Sequence, residues 1–207
     1  SLKDLQKLPI VSRDDVSKNF NLILALNYKH LYRLGKITVR RTSGFSNTPL
    51  KIVFDERGWN YLEAIYLRSL LSLGYNPRKP IAFYWYEPFQ RKFYNSFGLL
   101  RKYLIPSKLS ENEQLKLLKE LNPPYLCYYP SSLFFIAKKM DFEDIGLSPK
   151  FIVTQGEILS KGMRKKIESV FNAPVFDFYA TAETGITGWE CKEKCGYHIN
   201  ADNIILN

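Results

Sequence analysis

Cysteine, histidine and methionine are scarce: the 207 residues include three Cys, two His and two Met. Three thiols are an odd number, and Cys191 and Cys195 stand close together. This is not the cysteine pattern of a disulfide-stapled secreted module, so a reducing cytoplasm is the expected compartment. No apolar run approaches the ~18 residues of a membrane span. The longest apolar patches, Ile81–Tyr86 and Ser132–Ala137, read as a buried strand and a helix face, and no membrane partner is expected. Internal repeats and low-complexity tracts are missing. Ser1–Asp15 mixes charge with irregularly spaced Leu and is not a signal peptide. It lacks an initiator Met, as a cut or processed start would.

The composition is 45% hydrophobic and 15% aromatic, which suits a packed globular protein. The length supports one substantial core or two lobes. Net charge is +10, from 30 basic and 20 acidic residues. The densest cations, Arg40-Arg41, Lys138-Lys139 and Arg164-Lys165-Lys166, are far apart. They read as solvated faces, or as a positive field for anionic phosphates, rather than as a nucleic-acid surface.

Period and punctuation predict the elements. Leu2–Val16 reads as a short helix, with Ser12 and the acids after it as a cap. Residues 37–41 and 51–54 are strands around a loop at 42–49. Asp55 caps a helix over 59–73, stopped by Gly74. Residues 81–85 form a strand covered on both faces. Ser110 and Glu113 form a capping box that opens a helix to about Leu121. Strands at 125–129, 151–154 and 175–178 alternate with helices at 130–139 and 160–171, and 198–205 alternates like a strand. Alternating strands and helices predict an α/β fold with a largely parallel sheet flanked by helices.

Three segments could carry chemistry. Thr42-Ser-Gly-Phe-Ser-Asn-Thr-Pro49 crowds hydroxyls and Gly into a loop. Such a loop can hold phosphate oxygens, although turns use the same residues. It is no P-loop, because Gly-Lys-Ser/Thr is missing. Phe176–Gly185 runs from an apolar strand through Tyr179 and small residues to Glu183. Beyond the carboxyl end of a parallel strand, a Tyr can stack on a base and a carboxylate can hold Mg²⁺. The alternative is a strand followed by a polar turn, with Tyr179 in the core. Thr154-Gln-Gly-Glu-Ile158 also follows a strand.

In order and spacing these segments resemble the adenylate-forming superfamily, in the branch of phenylacetate–CoA ligases and their capsule-biosynthesis and deazaflavin-adenylating relatives. Thr42, Ser43, Gly44, Ser46 and Pro49 match its phosphate loop. Gly156-Glu157 matches its adenine-side turn, and Tyr179 and Glu183 its Tyr-Gly-x-Thr/Ser-Glu. Glu190-Cys191 and Gly196-Tyr-His-Ile-Asn200 match the segments that follow. Asp4-Leu-x-x-Leu-Pro9 and Tyr129-Pro-Ser-Ser132 complete the series, from Asp4 to about Ile205.

The resemblance implies ATP·Mg²⁺ and a small carboxylic acid as ligands, with Glu183 on the metal and Tyr179 and Gly156-Glu157 beside adenine. Phe45, Asn47, Ala180 and Ala182 depart from the family pattern. The family's ribose-binding Asp and mobile C-terminal domain, with its catalytic Lys, have no counterpart. Residues 1–207 are therefore expected to be an incomplete N-terminal domain, with CoA used only when the missing domain is present. That domain could be a separate polypeptide, and a homodimer is also open. The competing reading is a non-catalytic binding or assembly module on the same fold.

Cys191-x₃-Cys195-x₂-His198 has spacing that can bind Zn²⁺, with Cys127 or Glu190 as a fourth ligand. The alternative is two inert thiols and a hydrogen-bonded His. His30 has no partner in the sequence and reads as structural.

Overall fold

The computed structural model describes Asp4 and residues 7–34, 37–41, 50–89, 91–140 and 146–206. The chain divides into two compact units, Ser1–Ala64 and Ile65–Asn207.

In the first unit, local hydrogen bonding sets the elements. Helix α1 (Arg13–Lys18) starts at a capping box. The Ser12 hydroxyl accepts from the Asp15 N–H at 3.2 Å, and the Asp15 carboxylate accepts from the Ser12 N–H at 2.9 Å. The Ser12 hydroxyl and then the Ser12 N–H, both donating to the Asp15 carboxylate, hold that carboxyl below the usual carboxylate range. Of the helix expected over 2–16, described residues 8–12 are not helical and α1 begins after Ser12. Helices α2 (Phe20–Ile23) and α3 (Leu26–Arg33) follow. Strands β1 (Thr38–Arg41) and β2 (Lys51–Phe54) pair antiparallel, with Arg41 opposite Lys51 where the hydroxyl-rich loop begins. Helix α4 (Glu56–Ser72) opens on Asp55, whose carboxylate accepts from the Gly58 N–H at 2.6 Å and the Tyr28 hydroxyl at 2.9 Å.

The second unit is built on a seven-stranded sheet in the order β4-β3-β5-β6-β7-β8-β9. Strands β3 (Ile81–Trp85), β4 (Lys102–Pro106), β5 (Tyr125–Tyr128), β6 (Phe151–Gln155) and β7 (Val175–Thr181) run parallel. Strands β8 (Gly185–Glu190) and β9 (Tyr197–Ile199) add antiparallel. Helix α5 (Phe93–Ser96) lies in the β3–β4 connection. Helices α6 (Glu111–Leu121), α7 (Pro130–Met140) and α8 (Lys161–Phe171) alternate with the later strands.

The strand sequences explain the two-sided burial. Alternate residues enter opposite apolar clusters, because successive side chains of a strand point to opposite faces. Ala82, Leu126, Tyr128, Ile152 and Val175 pack with Leu115, Leu118, Leu133, Ile136, Ile167 and Phe171 of α6 to α8. Ile81, Phe83, Tyr125, Cys127, Val153, Phe176 and Phe178 pack with Ile65 and Leu70 of α4. Ser110 and Glu113 form the expected capping box of α6, and Asn122 ends that helix in the left-handed conformation.

Several elements differ from the sequence expectation, α2 and α3 among them. Helix α5 lies within the segment 89–103, left without secondary structure by the sequence, and strand β4 begins at its end. Residues 200–206 form turns and irregular backbone instead of extending a strand. Strand β8 contains Gly185 and Gly188, which weaken a strand signal. Glycine suits position 188, since a Cβ would come within 3.1 Å of the Ile199 side chain and 3.2 Å of the His198 carbonyl, tighter than most side-chain contacts.

Candidate functional site

The sheet order reverses at β3, with β4 on one side and β5 on the other. In open parallel sheets, ligands sit outside the carboxyl ends of the strands at such a switch point. Here those ends carry aromatic rings. Trp85 and Tyr129 lie 6.4 Å apart between centroids, and Tyr129 meets Tyr84 at 5.5 Å. Tyr86, just past β3, is exposed.

Beside them, β6 ends in Gln155-Gly156-Glu157. Gly156 has φ +82°, and a Cβ would come within 3.1 Å of the Tyr129 ring. Only glycine fits both the backbone and that contact. The Glu157 carboxylate accepts from the Ser131 N–H at 3.0 Å, in the first turn of α7. An acid suits that position, because the helix N-terminus presents unpaired N–H groups and positive dipole. Glu157 therefore joins the ends of β6 and β5–α7 into one rim.

Strand β7 adds Tyr179, which is 56% exposed. That exposure rules out the core alternative for its ring. The β7–β8 turn carries Glu183, exposed and without an ion pair among the described residues. Thr181, Thr184 and Thr187 surround the turn in a hydroxyl chain, Oγ1 to Oγ1 at 2.9 Å for each step. Tyr179 pairs across the ladder with Gly188, which stands opposite Ile199 on β9.

A buried polar network underlies this rim. The Asp177 carboxylate accepts from the Thr154 hydroxyl at 2.8 Å and the Tyr197 hydroxyl at 2.6 Å. Burial pushes the Asp177 carboxyl above its ordinary range, against the two hydroxyl bonds that lower it. Burial, then the Asp177 bond, raises the Tyr197 phenol. Glu190 accepts from the Arg164 guanidinium at 2.8 and 2.9 Å and from the Asp177 N–H at 2.7 Å. Arg164 also donates to the Val175 carbonyl at 2.7 Å. Asp177, Arg164, Thr154 and Tyr197 were missed as a group from sequence. The one available signal was a carboxylate inside the apolar run Phe176-Asp-Phe.

Beyond β9, Asn200 is buried and donates to the Ile186 carbonyl at 2.6 Å. Arg68 of α4 donates to Asn200 and to both Asp202 oxygens, at 2.8 and 2.9 Å. The structure thus brings Gly156, Glu157, Tyr179 and Glu183 to one edge of the sheet. Thr42, Ser43, Gly44 and Ser46 lie outside the described residues.

Cys191, Cys195 and His198 are not gathered for a metal; no group of three metal-ligating His, Cys, Asp or Glu side chains occurs among the described residues. The Cys195 thiol donates to the Glu193 carbonyl within its own turn, and the His198 ring lies 5.4 Å from that of Trp189. Cys127 is buried within β5, and burial pushes its thiol up to about 12. Glu190 is taken by Arg164. The Glu183 turn offers hard oxygen donors, a carboxylate among Thr hydroxyls, which is the donor chemistry that suits Mg²⁺.

Neither a protein-family model nor a curated protein matches the chain. Solved structures do. A 2-hydroxyisobutyryl-CoA ligase in an open conformation with 2-HIB-AMP and CoA superposes with TM-score 0.73 at 16% identity, over 95% of this chain and 46% of that one. A malonyl-CoA ligase with methylmalonyl-CoA and AMP bound gives TM-score 0.53 at 16% identity, over 73% and 34%. A long-chain-fatty-acid-CoA ligase from Archaeoglobus fulgidus gives 0.54 at 11% identity, over 75% and 33%. The fold is therefore that of acyl-CoA ligases, and the chain spans less than half the length of each.

Proposed function

We propose that this chain carries the nucleotide-binding side of an adenylate-forming enzyme of the phenylacetate–CoA ligase type. The observation that carries the reading is the exposed Tyr179 beside the free carboxylate of Glu183, at the carboxyl edge of a parallel sheet shared with acyl-CoA ligases.

In this reading adenine lies against the Tyr179 ring, with Gly156-Glu157 forming the neighbouring wall. A flat base on an exposed phenol ring gains stacking without a sequence-specific hydrogen bond. Glu183 holds Mg²⁺, which when bound would neutralise phosphate charge and order the polyphosphate. The hydroxyls of Thr181 and Thr184 stand next to Glu183 and offset the loss of one at Ala182. Thr42, Ser43, Gly44 and Ser46 are assigned to the β- and γ-phosphates on the sequence alone.

The acid occupies the switch point between β3 and β5, among Trp85, Tyr86 and Tyr129. Its carboxylate oxygen attacks the α-phosphorus of ATP. The bond from that phosphorus to the bridging oxygen breaks, giving acyl-AMP and pyrophosphate. Catalysis comes from positioning and charge neutralisation rather than from a protein nucleophile. Transfer to CoA needs the C-terminal domain of the family.

Isothermal titration of the folded chain with AMP, and with ATP in the presence and absence of Mg²⁺, tests the reading. Binding of both nucleotides, with a Mg²⁺-dependent gain for ATP, is expected. No heat from either nucleotide at millimolar concentration would leave the non-catalytic module as the better account.

A further inference from the structure

The β3–β4 connection presents an exposed aromatic tip that the nucleotide site does not use. Phe93 is 80% exposed and Phe97 78%, both beyond any other Phe described. Phe93 is the first residue of α5 and Phe97 its C-cap, one turn apart. Their exposure is built into the fold. The Asn95 side chain accepts from the Lys92 N–H at 2.7 Å and donates to the carbonyls of Leu99 at 3.0 Å and Leu100 at 3.2 Å. Gly98 and Leu100 both take positive φ, +76° and +51°. A left-handed Leu is uncommon and costs free energy, so the turn is held against its backbone preference.

The charge around the tip has one sign. Residues 88–110 contain Arg91, Lys92, Arg101, Lys102 and Lys108 and not one Asp or Glu. Lys102 lies over the rings of Phe83 and Phe89, 5.6 and 5.4 Å from their centroids. Arg91 and Arg101 are exposed, two residues before Phe93 and four after Phe97 in the chain.

We propose that this tip docks on an anionic phospholipid surface, with Phe93 and Phe97 entering the interface and Arg91, Lys92 and Arg101 meeting headgroup phosphates. Projecting apolar rings with flanking cations are the features of an interfacial anchor. Phe favours lipid over a nucleic-acid strand here. Its rings carry no hydrogen-bonding group and project from a tight turn, whereas strand-binding rings line a charged groove. No described helix is long and apolar enough to cross a membrane, so the contact is with one leaflet. The sequence expectation of no membrane partner considered only spanning segments.

The test is co-sedimentation of the chain with phosphatidylcholine vesicles, with and without phosphatidylserine. Binding is expected only with phosphatidylserine and should weaken as salt rises. Phe93→Ser with Phe97→Ser should weaken it about tenfold or more. Arg91→Ala and Arg101→Ala should each weaken it about fivefold. Near-ultraviolet circular dichroism checks folding, and the arginine variants stand in should the phenylalanine variant misfold. Equal binding to neutral vesicles, no binding to either, or undiminished binding by the phenylalanine variant would overturn the proposal. So would retention on oligo-dT, or self-association, that the phenylalanine substitutions abolish while vesicle binding is absent.

Discussion

Among the described residues of Ser1–Ala64 only Leu24 and Leu50 are buried hydrophobics, whereas Ile65–Asn207 fills both faces of its sheet with apolar side chains. The first unit takes its order from local devices, such as the Ser12 cap and the Asp55–Gly58 and Asp55–Tyr28 bonds. The second takes it from contacts between residues far apart in the chain. The consequence for function is an uneven foundation. The proposed base and metal contacts, Tyr179 and Glu183, stand on the packed sheet. The proposed phosphate contacts belong to a loop flanked by a two-stranded ribbon, and such a ribbon is marginal by itself.

The widest contrast is in stability. Phe171→Ala removes a fully buried ring from under the sheet and should cost about 3–5 kcal/mol. Leu22→Ala, at an exposed site of α2, should change stability by less than about 0.5 kcal/mol. Urea titration of both variants reads the difference, and similar costs would break the contrast.

A smaller effect is expected in the polar layer. Arg164→Met leaves the Glu190 carboxylate buried without its cation. The two side chains keep 20% and 10% exposure, so the cost should be about 2–3 kcal/mol, below that of a fully dry pair. The same titration checks it, and an unchanged midpoint would show that the pair contributes nothing.

Removing a binding surface should leave stability alone. Tyr179→Ala should weaken AMP binding about tenfold, as loss of one base-stacking ring does, with the thermal midpoint unchanged. A fall in midpoint with unaltered affinity would return Tyr179 to a packing role.

The smallest effect is in the pH profile. The native Asp177 pKa lies above its ordinary value because of burial. The native state therefore binds this proton more tightly than the unfolded chain. Asp177 contributes most below the ordinary carboxylate pKa, and the contribution is lost as pH rises through the raised one. Asp15, Asp55 and Asp202 act oppositely, being held low by their hydrogen bonds. Asp177→Asn should thus make acid destabilisation steeper, as read by thermal midpoints from neutral pH down through the carboxylate range. A shallower profile would reverse the assigned sign.

Much of the sheet was legible because strands such as Ile81–Trp85 and Phe151–Gln155 are short apolar runs bounded by turn residues. The cap at Ser12 and the capping box at Ser110 were legible for a related reason, since the partners lie within four residues. The tertiary signals were weaker. Strand β8 escaped because its glycines make sense only against β9. The network of Asp177, Arg164, Glu190 and Tyr197 draws on four elements that only the fold brings together. Tyr179 and Glu183 could be named from their place after an apolar strand. Their exposure, and the use of Glu157 as a cap for α7, depended on neighbouring strands. The spacing of Cys191, Cys195 and His198 suggested a metal, but the β8–β9 hairpin turns His198 toward Trp189.

The most direct test of the central claim is Glu183→Gln, which keeps the side chain's size and removes its charge. Isothermal titration with AMP, and with ATP with and without Mg²⁺, should show AMP binding as in the unaltered chain and loss of the Mg²⁺-dependent gain for ATP. A Mg²⁺-dependent gain that survives the substitution would contradict the assignment of the metal to the β7–β8 turn.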